Sequence, residues 1–464
     1  MINNFSYRII QTQACTGYFM KKQSKLNLFD FTLIVVSLVI GMGIFRTPVN
    51  VAAAVPTPFI FFGVWLTGGL IALCGALTYA EIGSRLPVTG GYYRIFSYCY
   101  HPSIAFAVNC IILISNAASL AGVALIGAEY ITKVIFPSVS NPEVIQVGIS
   151  VFSVSVFYGV NLLGLKMSAR TQNVLTIIKI SMILMLILPL FFARPVTESQ
   201  ASHPLVHLTT MEYLKAFGVG LVAVSFTYGG YQQTINFGAE VSKANKTIPR
   251  GIFIGIFIII GLYLTINYAY YKVIGFDELK NTKNIAAVMA AYVFGSAAGK
   301  ILSVLLFLSV LAYVNVLLMS NPRVMYAMSE DGVLPGIFKK RNERTDVLVI
   351  SLSVFAAICV FILFVQKQFD EILSFSIFLD CFGMALSAAT IFILRRKTAQ
   401  LDVKSIYTMK LYPLQPLLFI SAYVFVMISI FIAKPRTALV GLGVLTLFTI
   451  IYFVTHKNKA KTID

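Results

Sequence analysis

The stretch LVIGMGIFRTPV, Leu38 to Val49, decides how the rest of the chain is read. It lies inside a long apolar run, yet it sets Gly41 and Gly43 two residues apart and follows them with Pro48. Glycine weakens a helix, and proline ends or kinks one. A chain that is otherwise building a long apolar helix is therefore interrupted near the middle of it.

The surroundings make that interruption costly. Of 464 residues, 58% are hydrophobic and 12% charged, where an ordinary soluble domain carries about a quarter charged residues. The mean hydropathy is +0.84. Many nearly uncharged windows reach the roughly 20 residues that a helix needs to cross a bilayer core. Alternating short segments, the mark of an outer-membrane barrel, are not the pattern here. Lipid requires the backbone to be hydrogen-bonded within itself, so the runs are helices. The expectation is an all-α integral membrane protein with twelve spans, near 30–53, 58–80, 103–128, 143–163, 171–193, 214–238, 251–273, 300–322, 347–366, 371–394, 412–433 and 437–455. The connection 275–299 has a mildly helical pattern and suits a short amphipathic helix across an outer mouth.

Charge sets the orientation. With both termini inside, the inner segments hold 24 of the 36 basic residues and the outer side 11, leaving Lys179 within a span. This bias predicts cytoplasmic termini. It also accounts for the net charge of +18 through contact with anionic lipid, and no nucleic-acid motif is visible. The first apolar run is too long for a cleaved signal peptide. MKKQSKLNLFD from Met20 reads as a more natural start than the patternless 19 residues before it, which are otherwise a disordered tail. The six cysteines lack metal-ligand spacing and read as small buried hydrophobes without a disulfide framework.

A second run, VSFTYGGYQQTINFG from Val224 to Gly238, repeats the anomaly with Gly229 and Gly230. It is the sixth span, so the first spans of two five-span halves are both interrupted. Matching interruptions in two halves point to a transporter site at the bilayer midplane. Five is odd, so the second half starts on the opposite side and the repeats are inverted. Unwinding frees backbone groups at several kcal/mol each in hydrocarbon. A zwitterion satisfies them: its carboxylate accepts from N–H groups at a half-helix N-terminus, and its ammonium donates to freed carbonyls. Packing glycines are the alternative for one such span, but less so for two in corresponding places.

Six ordered motifs resemble the amino acid–polyamine–organocation (APC) superfamily. They are IGMGIFRTP (40–48), YAEIGSRLPVTGGYYRIF (79–96), FTYGGY (226–231), AEVSKANKTIPRGI (239–252), SNPRVMYAMSEDGVLP (320–335) and ILRRK (393–397). The likeness is greatest to the L-type amino acid transporter branch and its bacterial relatives. The resemblance implies the LeuT-type fold, with discontinuous helices 1 and 6. Inverted repeats then cover 30–193 (spans 1–5) and 214–396 (spans 6–10), followed by spans 11–12 at 412–455, between tails 1–29 and 456–464. It implies that the amides of Gly41, Met42, Gly43 and Ile44 hold the substrate carboxylate. The carbonyls of Val39, Phe226 and Gly229 would then meet its amino group, and Phe226 closes over it. The chain departs from the family pattern at Met42, where a small residue is usual, and at Arg46.

Lys179, in TIIKISMILML, is an intramembrane ammonium, functional by default. The resemblance places it beside the unwound part of span one, where sodium-coupled relatives hold their ion. There it is a coupling residue and a candidate proton carrier; snorkelling to the inner face is the plainer alternative. Asp380, in SFSIFLDCFGMAL, matches no motif; it lines, gates or protonates the pathway, or is a paired core acid. Asn116, Asn315, Thr227 and Tyr228 either face the same cavity or pack helices together. Glu81, Glu240 and Arg323, at the inner ends of spans two, six and eight, form either an inner gate or solvated loop charges. His203 and His207 are separated by Pro204 on an outer loop and do not suit zinc.

These readings favour a secondary amino acid transporter working by alternating access, a permease or exchanger for neutral substrates without sodium. Cationic amino acid or polyamine transport through Asp380 is the alternative, and a non-transporting receptor stands further off. A channel lacks its filter motif, and no nucleophile constellation, metal cluster or phosphate loop supports an enzyme. The expected partners are an amino acid, protons or a counter-transported amino acid, and lipid; no cofactor and no accessory subunit is expected.

Overall fold

The computed structural model describes residues 25–138, 140–193, 209–282, 285–365, 369–400, 406–433 and 435–460. Asn27 and Asp30 form a reciprocal capping box that starts α1 (Leu28–Val39). A 42° bend separates it from α2 (Gly43–Ala54). Thr57 caps α3 (Pro58–Arg85), whose first position is a proline that gives up only an orphan N–H. The helices α4 (Gly91–Cys99), α5 (Pro102–Ile135), α6 (Pro142–Leu162) and α7 (Leu165–Ile187) follow. The next group is α8 (Thr210–Thr227), α9 (Ala244–Ile274), α10 (Phe276–Asn281), α11 (Ile285–Phe294) and α12 (Ala298–Glu330). The chain closes with α13 (Val349–Val365), α14 (Phe369–Lys397), α15 (Leu414–Ala433) and α16 (Pro435–Ala460).

Among the described residues nine helices are long and apolar enough to cross a membrane, or ten if α1 and α2 form one bent span. The other two expected spans are occupied by shorter or more polar helices. The apolar stretch of α13 is only Val349–Phe364, and α8 carries Glu212 and Lys215 in its opening turns. The described residues of the 275–299 connection include α10 and α11, with Ile285, Ala286, Met289 and Ala290 buried and Tyr292 exposed. A helix absent from the expected list, α4, lies in the connection between α3 and α5.

Burial separates the centre of the bundle from its rim. Two-thirds of the apolar window of α5 is buried (67%), against 11% for α16, so the first is interior and the second presents an apolar face to lipid. All nine residues from Phe31 to Val39 are buried, which puts the interrupted α1 at the centre. There it packs on α9, α7 and α12, while α12 packs along α5.

Candidate functional site

The two interrupted helices meet at their breaks. The first half-helix ends at Val39, and Ile40 turns extended. At the start of α2, Met42 occupies the cap position without a side-chain cap. The leading N–H groups of a helix need partners, and the dipole there is positive. A Cβ added at Gly41 meets nothing within 4 Å, whereas one at Gly43 comes 3.0 Å from Thr227 Oγ1. Met42 and Ile44 are buried beside them.

On the other side, α8 ends at Thr227, and the chain passes through Tyr228, Gly229 and Gly230 into a 3-10 turn at Tyr231–Asn236. Gly230 has φ +112°, and a Cβ on it falls 2.2 Å from the carbonyl oxygen of Leu38. Only glycine allows both that dihedral and that approach. Gly229, half-buried, is the ordinary member of the pair. Thr227 pins the two breaks together, donating to Thr47 Oγ1 (2.8 Å) and lying 3.0 Å from the Ala223 carbonyl. Its hydroxyl is thus engaged in joining helices. The hydroxyl of Tyr263 lies 3.3 Å from the Val39 carbonyl and 3.4 Å from that of Thr227. The ring of Tyr228 packs against Trp65 and Tyr263, and its buried hydroxyl lacks a partner among the described residues. The backbone of Phe226 belongs to α8, but its side chain lies outside the described residues.

Lys179 is fully buried and donates to the Ile40 carbonyl at 2.6 Å. A carbonyl freed by the break is thereby satisfied by an ammonium, and snorkelling is set aside. Below it on the same face of α7, Thr176 and Gln172 lead away at i, i+4 and i+7 spacing. Gln172 Nε2 donates to Ser37 Oγ (2.5 Å) and lies 3.2 Å from Thr176 Oγ1. Asn315 Nδ2 donates to Gln172 Oε1 (2.7 Å), and Asn161 Nδ2 donates to Asn315 Oδ1 (2.9 Å). Asn315 therefore belongs to a buried seam tying α1, α6, α7 and α12 together.

Asn116 sits in a second amide cluster. It donates to Asn321 Oδ1 at 2.7 Å and accepts from Gln233 Nε2 at 3.0 Å, joining α5, α12 and the 3-10 turn. Asp380, half-buried on α14, has Ser115 Oγ at 3.4 and 3.5 Å from its two oxygens.

The three charges expected to form one gate divide into two groups. Glu81 is completely buried and bonds Arg85 (2.7 Å), Arg395 (2.7 and 2.8 Å) and the Met409 N–H (2.8 Å). It links α3 to α14 and to the lead into α15, remote in sequence from the other two. Glu240 pairs with Arg323 at 2.6 Å, and Arg323 lies over the Phe237 ring and donates to the Met319 carbonyl. Beside this pair a cavity of about 570 Å³ is lined by Lys25, Asn161, Ser168, Met319 and the 341–348 segment. It therefore reaches the end of the seam at Asn161. The N-terminal lead closes on the same region, with Leu26 bonded to Glu240 and Ser242 through the backbone. A third cluster pairs Arg94 with Glu330 and Asp331.

Ser37, Gln172, Asn161, Gln233, Thr47 and Tyr263 escaped the sequence reading. Polar residues in apolar runs were the available signal, since Tyr263 stands in IIIGLYLTIN and Gln172 seven residues before Lys179. Their partners lie too far away in sequence to be recognised. His203 and His207 lie outside the described residues.

A family profile described as "Amino acid permease" matches residues 26–455. The serine/threonine exchanger SteT of Bacillus subtilis (strain 168) is 29% identical over 460 residues, covering 95% of this chain and 98% of that protein. The cystine/glutamate transporter of Homo sapiens is 27% identical over 386 residues, covering 80% of this chain and 74% of that one. The large neutral amino acids transporter small subunit 2 of Homo sapiens is 24% identical over 453 residues, 96% and 83% respectively.

Proposed function

Because the chain belongs to the amino acid permease family of the APC superfamily, we propose that it is a secondary amino acid transporter of the cell membrane. It works by alternating access around the meeting point of α1/α2 and α8. The observation that carries this reading is the contact between two interrupted helices, with Gly230 pressed on the Leu38 carbonyl and Lys179 on the Ile40 carbonyl. In the proposed mechanism the substrate carboxylate docks on the uncapped start of α2, where Gly41 leaves open space for it. The ammonium docks on carbonyls at the ends of α1 and α8. Tyr263 lies within reach of two such carbonyls, so its hydroxyl holds the place and yields it when substrate arrives. The twelve-span, LeuT-type architecture, with inverted repeats at 30–193 and 214–396 and both termini cytoplasmic, is part of the proposal. It is supported by the paired interruptions and the bias of basic residues.

Substrates are proposed to be neutral, because Met42 and Ile44 beside the break are apolar and buried and an unpaired charged side chain there is expensive. Transport is proposed to be independent of sodium, because the Lys179 ammonium already stands at the break. SteT is by its name an exchanger of serine and threonine, which supports exchange of small neutral amino acids as the first mode to test. The name of the Homo sapiens relative marks it as a small subunit; this chain is proposed to act alone, and reconstitution as a single purified chain tests that directly.

The test is a panel of amino acids in a thermal-shift screen of the purified protein, followed by competition of labelled uptake. Ligand at a hundred times its Kd stabilises the native state by about 2.7 kcal/mol. Stabilisation by neutral L-amino acids and by no charged one supports the reading; stabilisation by none overturns it.

A further inference from the structure

Among the described residues, Asp380 is an acid inside the bundle with no cation paired to it. Glu81 has two arginines and a backbone N–H, and Glu240 has Arg323. The Asp380 oxygens have only Ser115 Oγ, at 3.4 and 3.5 Å, well beyond the 2.5–3.0 Å of a sound O–H···O bond. The titratable groups that neighbouring helices turn toward it are Tyr92 on α4, Tyr313 on α12 and Tyr423 on α15, with Cys381 beside it on α14. All are neutral, and two are engaged elsewhere: Tyr92 on Ser387 (3.2 Å) and Tyr313 on Ser119 (2.9 Å). Lys179, the buried base of α7, is committed to the Ile40 carbonyl. Asp380 is only partly buried, as are Ser119 on α5 and Tyr313 on α12.

A carboxylate inside a membrane bundle keeps its charge only with a partner; otherwise it takes one up. We propose that Asp380 and Ser115 form a proton-binding site that couples transport to the proton gradient, a role resting on the transport function proposed above. When the site faces one side, an O–H bond forms between a proton from water and a carboxylate oxygen. When it faces the other, the same bond breaks and the proton returns to water. No electrons move and no co-reactant is needed. Lys179 then braces the break in α1 while Asp380 gains and loses charge. In the proposed repeats Lys179 and Asp380 stand on corresponding helices, the fifth span of each half.

The experiment uses the full chain in sodium-free proteoliposomes containing a pH-sensitive dye, with the voltage clamped and L-serine and L-leucine as probes. The expected result is internal acidification that tracks uptake, and accumulation that rises by up to about tenfold for one unit of inward pH gradient. Asp380→Asn loses both responses, and Asp380→Glu restores them; a merely structural role for the carboxyl would leave the gradient response of the remaining transport intact. Wild-type counterflow of either probe without dye response or gradient effect overturns this proposal while leaving the transport reading in place. So does a dye response that persists in Asp380→Asn. L-lysine outcompeting both probes in wild type but not in Asp380→Asn, again without dye response, also overturns it and makes Asp380 the partner of a substrate cation. Failure of every probe to move in any mode removes the transport reading itself.

Discussion

Gly230→Ala is expected to damage the protein by distorting the meeting point of the two interrupted helices, not by opening a cavity. Two costs combine. A residue with a Cβ held at φ +112° is strained by about 1–3 kcal/mol. The new methyl then falls 2.2 Å from the Leu38 carbonyl oxygen, so one partner has to retreat by roughly 1 Å to reach van der Waals contact. That partner is backbone in the last turn of α1, already held by the Lys179 and Tyr263 contacts nearby, and overpacking of this kind costs about 1–3 kcal/mol. The combined loss of about 2–6 kcal/mol is comparable to the total margin of many folded proteins. The assay is the fraction of purified protein that stays monodisperse after heating, run beside Gly229→Ala, whose dihedral is unexceptional. Gly230→Ala is expected to lose most of its folded yield and Gly229→Ala little. Equal heat resistance of Gly230→Ala and wild type would refute the close approach of α1 and the turn after α8.

Gly41→Val is expected to fold, because a Cβ there meets open space, yet to lose substrate uptake; near-normal uptake would remove the backbone docking site. Gly43→Val is the less clean variant, since its side chain collides with Thr227. Replacing sodium by choline should leave the initial rate of uptake unchanged, and a strong loss would show that Lys179 does not stand in for an ion. Phe226→Ala should cost far more transport than Phe226→Trp, which keeps a covering ring; equal losses would deny the ring that role. Gln172→Leu removes the acceptor of an Asn315 N–H and the donor to the Ser37 hydroxyl, a destabilisation of about 1–3 kcal/mol, read as lower heat resistance; unchanged heat resistance would mean that these two bonds hold nothing.

The interruptions were legible because they violate local rules. Paired glycines in apolar runs are visible without any tertiary information, and the breaks fall at Ile40–Met42 and at Tyr228–Gly230 as the glycines suggest. Lys179 was legible for the same reason, and its acceptor is a carbonyl of the break itself. Which glycine of the second pair is indispensable was not legible, because that depends on a chain 192 residues earlier coming within van der Waals range of Gly230. The buried amides were left between lining a cavity and packing helices together, and several bond one another. An asparagine in an apolar run has the same sequence signature whether it faces a ligand or an amide on another helix. The ends of the helices misled in a similar way: Glu81 sits in a family motif, but its partners Arg395 and Met409 come from the far end of the chain. The count of spans is the remaining difference, since α8 and α13 have shorter or less apolar stretches than a spanning helix ordinarily shows.

Alternating access at the two breaks is tested most directly by counterflow. The purified chain is reconstituted alone into sodium-free liposomes loaded with an unlabelled neutral amino acid, and a trace of the same amino acid, labelled, is added outside. The account predicts transient accumulation of label above the level in unloaded liposomes, abolished by Gly41→Val. Label that enters no faster into loaded than into empty liposomes would contradict it.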